Sequence, residues 1–304
     1  MLHLRVLCPE QTAEAVLGAL RAQVGVVAIR RAGPTSHGIE ITADVARESA
    51  DEVFDALRRL GVFDAGMATL ESLDTAVGTL ADTAEQDAPG EGADALIWDE
   101  LVERTGEDSA LTGIFVAFMI LATLLAAIGV VTDSQVTIVG AMVVGPEFGP
   151  LAALAVALLR RHVHIARRAA TALLVGFPIA LLVTGLLAAL ARVAGLISPG
   201  DITGGHRETE FIYHPGWFSL ITALVAGTAG MLSLMSSKSA ALVGVFISVT
   251  TIPAAGNAAV AGVLGQWDET WRSAAQLAIN LAGIVAAGTA TLAGRQAVSK
   301  ARSS

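Results

Sequence analysis

The stretch Val136–Leu159 constrains this chain more than any other. It is apolar over the length that crosses a bilayer, about 20 residues. Its centre nevertheless reads Gly145-Pro146-Glu147-Phe148-Gly149-Pro150. Each proline lacks a backbone donor and its ring clashes with the preceding turn, so a helix is expected to break here. The carbonyls of Met142 and Pro146 are expected to lose their helical partners. Backbone freed at membrane depth is tolerated only when buried in protein or lining a wet cavity. A carboxylate at that depth costs about 2.5–3.5 kcal/mol on the gentlest scale and marks function. Gly145, Pro146, Glu147, Gly149 and Pro150 are therefore the first candidates for binding a substrate or ion.

Charge divides the 304 residues in two. Up to Ala110 there are 21 acidic and 8 basic side chains, and beyond it 7 and 11. An acidic N-terminal part thus precedes a mildly basic part that carries most of the apolar residues. The whole is 54% hydrophobic and 15% charged, with a mean hydropathy of +0.64, as expected of an integral membrane protein. The acidity argues against nucleic acid as a partner and against docking on anionic lipid. A single cysteine, Cys8, rules out an intrachain disulfide. The opening Met1-Leu2-His3-Leu4-Arg5 does not read as a signal peptide, so the N-terminal part is expected to stay cytosolic.

Within residues 1–74, strand-like and helix-like periods alternate. Residues 3–7, Val24–Arg30, Gly38–Val45 and Gly66–Leu73 read as strands, and Glu10–Gln23 and Ser49–Leu60 as amphipathic helices. The order β-α-β-β-α-β is the ferredoxin-like pattern. Such a module can serve as an anchor for self-association or as a ligand sensor. Thr75–Ala93 reads as a flexible acidic linker, and Asp94–Arg104 as an amphipathic helix with Trp98 on its flank. Trp98 suits either a membrane interface or packing on the cytosolic domain.

Six apolar stretches follow: Leu111–Val131, Val136–Leu159, Ala169–Ala194, Trp217–Met235, Ala240–Val263 and Ala274–Ala293. Arg160, Arg161, Arg167, Arg168, Lys238, Arg295, Lys300 and Arg302 all fall on one side if the six segments cross and both termini are cytosolic. His162 and His164 read as solvated residues of the arginine-rich loop. In 195–215, Asp201, His206, Glu208, Glu210 and His214 suit a hydrated loop better than a metal site.

A shift of 104 residues lays the first three spans on the last three. Val139-Gly140 falls on Val243-Gly244, Thr132–Gln135 on Ser236–Ser239, and Gly145–Pro150 on Val249–Ala254. Two units of three spans must run in opposite directions, the inverted-repeat plan of many secondary transporters. The expected fold is thus a ferredoxin-like α+β cytosolic domain (1–74) and an acidic linker with a helix (75–110). An α-helical membrane domain (111–304) follows, with repeats 111–194 and 217–294 and breaks in its second and fifth helices.

Both broken helices are expected to restart at a proline, Pro150 and Pro253, where a missing donor is tolerated. Each restart brings roughly half a positive charge to the midplane, suiting an anion or the Glu147 carboxylate, whereas freed carbonyls suit a cation. Glu147 favours a proton or a cation. Ser248, Thr250, Thr251 and Asn257 on the fifth span and Asn280 on the sixth are further binding candidates. Asp133 and Lys238 occupy equivalent turns and are candidate gate residues. The abundant small residues permit close helix packing and a homo-oligomer.

The run Val139-Gly140-Ala141-Met142-Val143-Val144-Gly145-Pro146-Glu147-Phe148-Gly149-Pro150 resembles the signature of a bacterial membrane family, domain of unknown function 389. Gly244–Val249 followed by Pro253, and Leu277–Ile284, resemble its later motifs. Many members carry aliphatic residues where this chain has Glu147-Phe148. The resemblance implies the architecture and no activity or cofactor.

The expected function is transport of a small solute or ion across the cytoplasmic membrane. A homo-oligomeric channel gated by the cytosolic domain and a membrane-anchored sensor or scaffold are the alternatives. No nucleophile–base pair, phosphate loop or metal-ligand spacing points to an enzyme, a cofactor or a metal.

Overall fold

The computed structural model describes residues 1–73, 75–88, 97–203, 216–235 and 251–302. The chain divides into two compact units, Met1–Glu100 and Leu101–Ser304.

The first unit is built on a four-stranded sheet. Strands β1 (Leu2–Cys8), β2 (Val26–Thr35), β3 (Gly38–Val45) and β4 (Met67–Ser72) lie in the order β2-β3-β1-β4, every pair antiparallel. Alternation decides which face is inside: Leu4, Val6 and Cys8 of β1 and Ile39, Ile41, Ala43 and Val45 of β3 are buried. Helix α1 (Glu10–Ala22) covers that face with Val16, Leu17 and Leu20. Helix α2 (Ala50–Arg59) adds Val53, Phe54 and Leu57. Beyond the expected elements is the one-turn α3 (Val62–Ala65).

The 75–93 region is not wholly a linker, because Thr79–Asp87 folds as helix α4. Leu80, Ala81, Ala84, Glu85 and Gln86 favour helix. Ala84 and Ala88 are buried, and the chain's ammonium group meets Glu85 Oε1 at 3.2 Å. Helix α5 (Trp98–Asp108) starts four residues later than expected of Asp94–Arg104, whose first three residues lie outside the described residues. Its start is tied to α2. Trp98 N–H donates to Asp51 Oδ1 at 3.0 Å and Arg58 pairs with Asp99 at 2.7 Å, while Arg47 pairs with Glu100 at 3.1 Å.

The second unit is helical. Its elements are α6 (Gly113–Val131), α7 (Gln135–Val144), α8 (Phe148–Arg160), α9 (Val163–Val193) and the one-turn α10 (Gly200–Thr203). After these come α11 (Trp217–Met235), α12 (Thr251–Leu264) and α13 (Trp267–Arg302). Thr112 caps α6 by accepting from Phe115 N–H, and Ser134 caps α7 by accepting from Thr137 N–H. Helices α6, α9, α11 and α13 are each long and apolar enough to cross a membrane, and the bent pair α7–α8 makes a fifth span if it crosses as one. The expected fifth stretch, Ala240–Val263, is described only from Thr251 on, as the shorter apolar α12. Helix α6 packs on α7, α9 and α12, and α9 packs on α8 and α12. Helix α13 packs on α8, α11 and α12. Ile114, Leu174, Leu182, Val193, Trp217 and Phe218 remain exposed around the bundle, the outward apolar surface expected of helices facing lipid.

Candidate functional site: a buried carboxyl at a broken span

The break predicted at Gly145–Pro150 is present. Helix α7 ends at Val144, Gly145 is extended, and α8 begins at Phe148 after a bend of 52°. Pro150 is the third residue of α8 rather than its first. Its missing donor still falls among the four N-terminal amides that have no helical acceptor, so the helix can start two residues earlier. Gly149 lies in the same first turn.

Glu147 occupies the cap position of α8 but makes no side-chain cap bond. Its side chain is fully buried, and Oε1 accepts from Thr251 Oγ1 of α12 at 2.6 Å. Oε2 has no hydrogen-bond partner among the described residues. No Lys, Arg or His pairs with Glu147 among the described residues. An ionised carboxylate so placed has no cationic partner among the described residues, which is costly in a dry interior. A bound proton or cation would satisfy it.

Gly145 makes this placement feasible. A methyl there would stand 2.8 Å from Ile252 Cγ1 and 3.2 Å from Glu147 Cδ, and closer still to Oε2. Only a glycine leaves room for the carboxyl to fold back on the break. Gly145, Pro146, Phe148 and Gly149 also line a cleft of about 450 Å³, whose far wall includes Thr112, Phe115 and Phe118. The cleft thus reaches the residues on either side of Glu147, which is itself fully buried.

The remaining candidates are distributed unevenly. Thr251 and Pro253 lie in the first turns of the described α12, both buried, and Thr251 joins Glu147 directly. Asn257, fully buried on the same helix, belongs to a second polar group: its Nδ2 donates to Glu269 Oε1 at 3.0 Å and to Ser273 Oγ at 2.8 Å. Asn280 belongs to a third, where Gln276 Nε2 donates to Asn280 Oδ1 at 3.3 Å and also to Ser219 Oγ. Asp133 lies in the α6–α7 turn with φ 51°, separated from Glu147 by the whole of α7, roughly 15 Å. Ser248, Thr250 and Lys238 lie outside the described residues. Among the described residues no group of three His, Cys, Asp or Glu side chains could hold a metal.

Ser219, Glu269, Ser273 and Gln276 were absent from the sequence-level candidates. A signal existed: Glu269, Ser273, Gln276 and Asn280 are spaced 4, 3 and 4 residues apart, which places them on one face of α13.

Apolar helices and a broken span with a buried carboxyl define a multi-pass helical membrane protein. Residues 142–286 match the family model described as "Domain of unknown function (DUF389)", the family whose signature this stretch resembles. An uncharacterized protein of Methanocaldococcus jannaschii is 27% identical over 169 residues, covering 56% of this chain and 50% of the relative. The chain thus spans about half the length of that curated relative. No solved structure matches.

Proposed function

We propose that this chain is a secondary transporter for a small solute or ion, working through Glu147 as the group that takes up a proton or cation. The observation that carries this is the fully buried Glu147 carboxyl at a helix break, held by one hydroxyl with its other oxygen unpartnered among the described residues. Intramembrane acids of this kind occur in proton and ion pathways.

An inverted repeat of six spans is part of the proposal. Glu147 and Thr251 are 104 residues apart, the same offset that aligns the two halves, and they touch. Equivalent positions can touch in this way where a pseudo-two-fold axis passes between them. Packing agrees: α8 lies against α9 and α13, and its counterpart α12 lies against α13 and α9. Gly176 of α9 meets the Phe115 ring. Their counterparts, Asn280 and Ser219, are linked through Gln276. One departure is that α6 packs on α12 without an equally extensive α8–α11 contact among the described residues. Gly256 lets Ala126 and Ala127 approach α12, and its counterpart is Ala152, which carries a methyl where Gly256 has none. Cytosolic termini, the cytoplasmic membrane as location and a homo-oligomeric state complete the proposal. The distribution of Arg and Lys among the loops supports the orientation.

The test is a pH jump on full-length protein in liposomes adsorbed to a solid-supported electrode. A saturable transient charge displacement is expected in the wild type and its loss in Glu147→Gln. Sustained current would replace transport by a channel. Absence of any transient from folded wild type would refute proton coupling at Glu147.

A further inference from the structure

The polar face of α13 takes no part in proton or cation uptake at Glu147, and two of its groups share one chemical deficit. Asn257 is fully buried, and its amide orientation is fixed because Nδ2 must be the atom that faces the Glu269 carboxylate. Its Oδ1 is left without a partner among the described residues. Deeper on the same face, Gln276 is also fully buried, and its Oε1 is likewise without a partner among them. Both orphans are acceptors, so what the face lacks is a donor or a cation.

Glu269 supplies one negative charge at the outer end of this face. It lies in the first turn of α13 and is half-buried. No Lys or Arg pairs with it among the described residues. Arg192, the cation that binds α12, is engaged by the Val263 carbonyl, almost two turns beyond Asn257. Glu269 Oε1 and Ser273 Oγ converge on one point, now filled by Asn257 Nδ2 at 3.0 and 2.8 Å. Rotation of the amide by half a turn gives up the two Nδ2 bonds and no bond at Oδ1, and turns Oδ1 toward the same point, where a cation would take the place of the lost donor. One carboxylate, one amide oxygen and one hydroxyl form an all-oxygen set that suits a hard cation, and a single negative charge is balanced by a single positive one.

We propose that Glu269, Asn257 and Ser273 form a binding site for a monovalent hard cation of the sodium class, entered by rotation of the Asn257 amide. The site uses none of the Glu147 contacts and stands independently of Glu147 as a coupling group.

The test follows thermal unfolding of full-length protein in detergent while sodium chloride replaces choline chloride at constant ionic strength. Binding to the folded state alone raises the unfolding temperature. A saturable, sodium-dependent rise is expected in the wild type and in Glu147→Gln. Ser273→Ala should need several-fold more sodium to reach the same rise, and Glu269→Gln should show none. If Glu269→Gln does not fold, Ser273→Ala decides. The proposal is overturned if folded wild type shows no saturable rise, if Ser273→Ala titrates like wild type, or if the rise disappears in Glu147→Gln.

Discussion

Replacing Gly145 by alanine tests the packing that holds Glu147. The new methyl would lie 2.8 Å from Ile252 Cγ1 and 3.2 Å from Glu147 Cδ, where ordinary contact begins at 3.4 Å. Ile252 would have to retreat by about 0.6 Å, the difference between those distances, and it is itself fully buried. Glu147 would have to swing farther, and the Thr251 bond at 2.6 Å leaves it no slack. Overpacking of a filled interior costs about 1–3 kcal/mol, and loss of a buried hydrogen bond to a carboxyl group adds roughly 1–3 kcal/mol. The expected loss is therefore about 2–6 kcal/mol, together with loss of the transient charge displacement. The assay is thermal unfolding in detergent beside the pH-jump current. Gly140→Ala is the internal control: it lies in α7, and a methyl there would meet nothing within 4 Å. Its stability should be unchanged or slightly higher, since alanine is the better helix former. If Gly145→Ala matches Gly140→Ala in both stability and current, the close packing at the break is not what holds Glu147.

Three further outcomes are expected. Thr251→Val keeps the volume but removes the hydroxyl that donates to Glu147, and should abolish the transient while the protein still folds; a wild-type transient would exclude Thr251 from the site. Gly227→Ala would push a methyl to 2.7 Å from the Ile284 carbonyl oxygen and 2.9 Å from its Cα. Backbone cannot yield as a side-chain tip can, so the α11–α13 pair should lose much of its thermal stability, measured against Gly294→Ala, where nothing lies within 4 Å. Asp51 is held up to about 6, from an ordinary 3.8, by burial, against the opposing bond from Trp98 N–H, with the charges of Asp99, Glu52 and Asp55 adding to the rise. Because the folded state holds this proton more tightly than the unfolded state, stability falls as pH rises from about 4 to about 6 and stays lower above that. Asp51→Asn should therefore gain on wild type across that window, by up to about 3 kcal/mol, in chemical denaturation followed at a series of pH values. A variant–wild-type difference that is flat with pH would contradict this.

How much was legible in the sequence follows from range. The break was readable because Pro146 and Pro150 act on their own turns, and the strands because Ile39, Ile41, Ala43 and Val45 alternate within one segment. Helix α4 was not, since Thr79–Asp87 is short and its burial rests on Ala84 and Ala88, which carry too little apolar surface to show a periodicity. Thr251 stood among the candidates, but its bond to Glu147 spans 104 residues, and no local pattern encodes a contact at that range. The α13 face was missed for another reason. Gln276 is a single polar residue in an apolar run, and Glu269 and Ser273 both precede the expected span, so their spacing reads as one face once α13 is seen to begin at Trp267.

The most direct measurement of the central claim is infrared difference spectroscopy of full-length protein in lipid during a pH jump, read in the carboxyl region. A band from protonated carboxyl is predicted to change in wild type, with the same midpoint as the transient charge displacement, and to vanish in Glu147→Gln. A carboxyl band that persists unchanged in Glu147→Gln would contradict the assignment of Glu147 as the group that takes up and releases the proton.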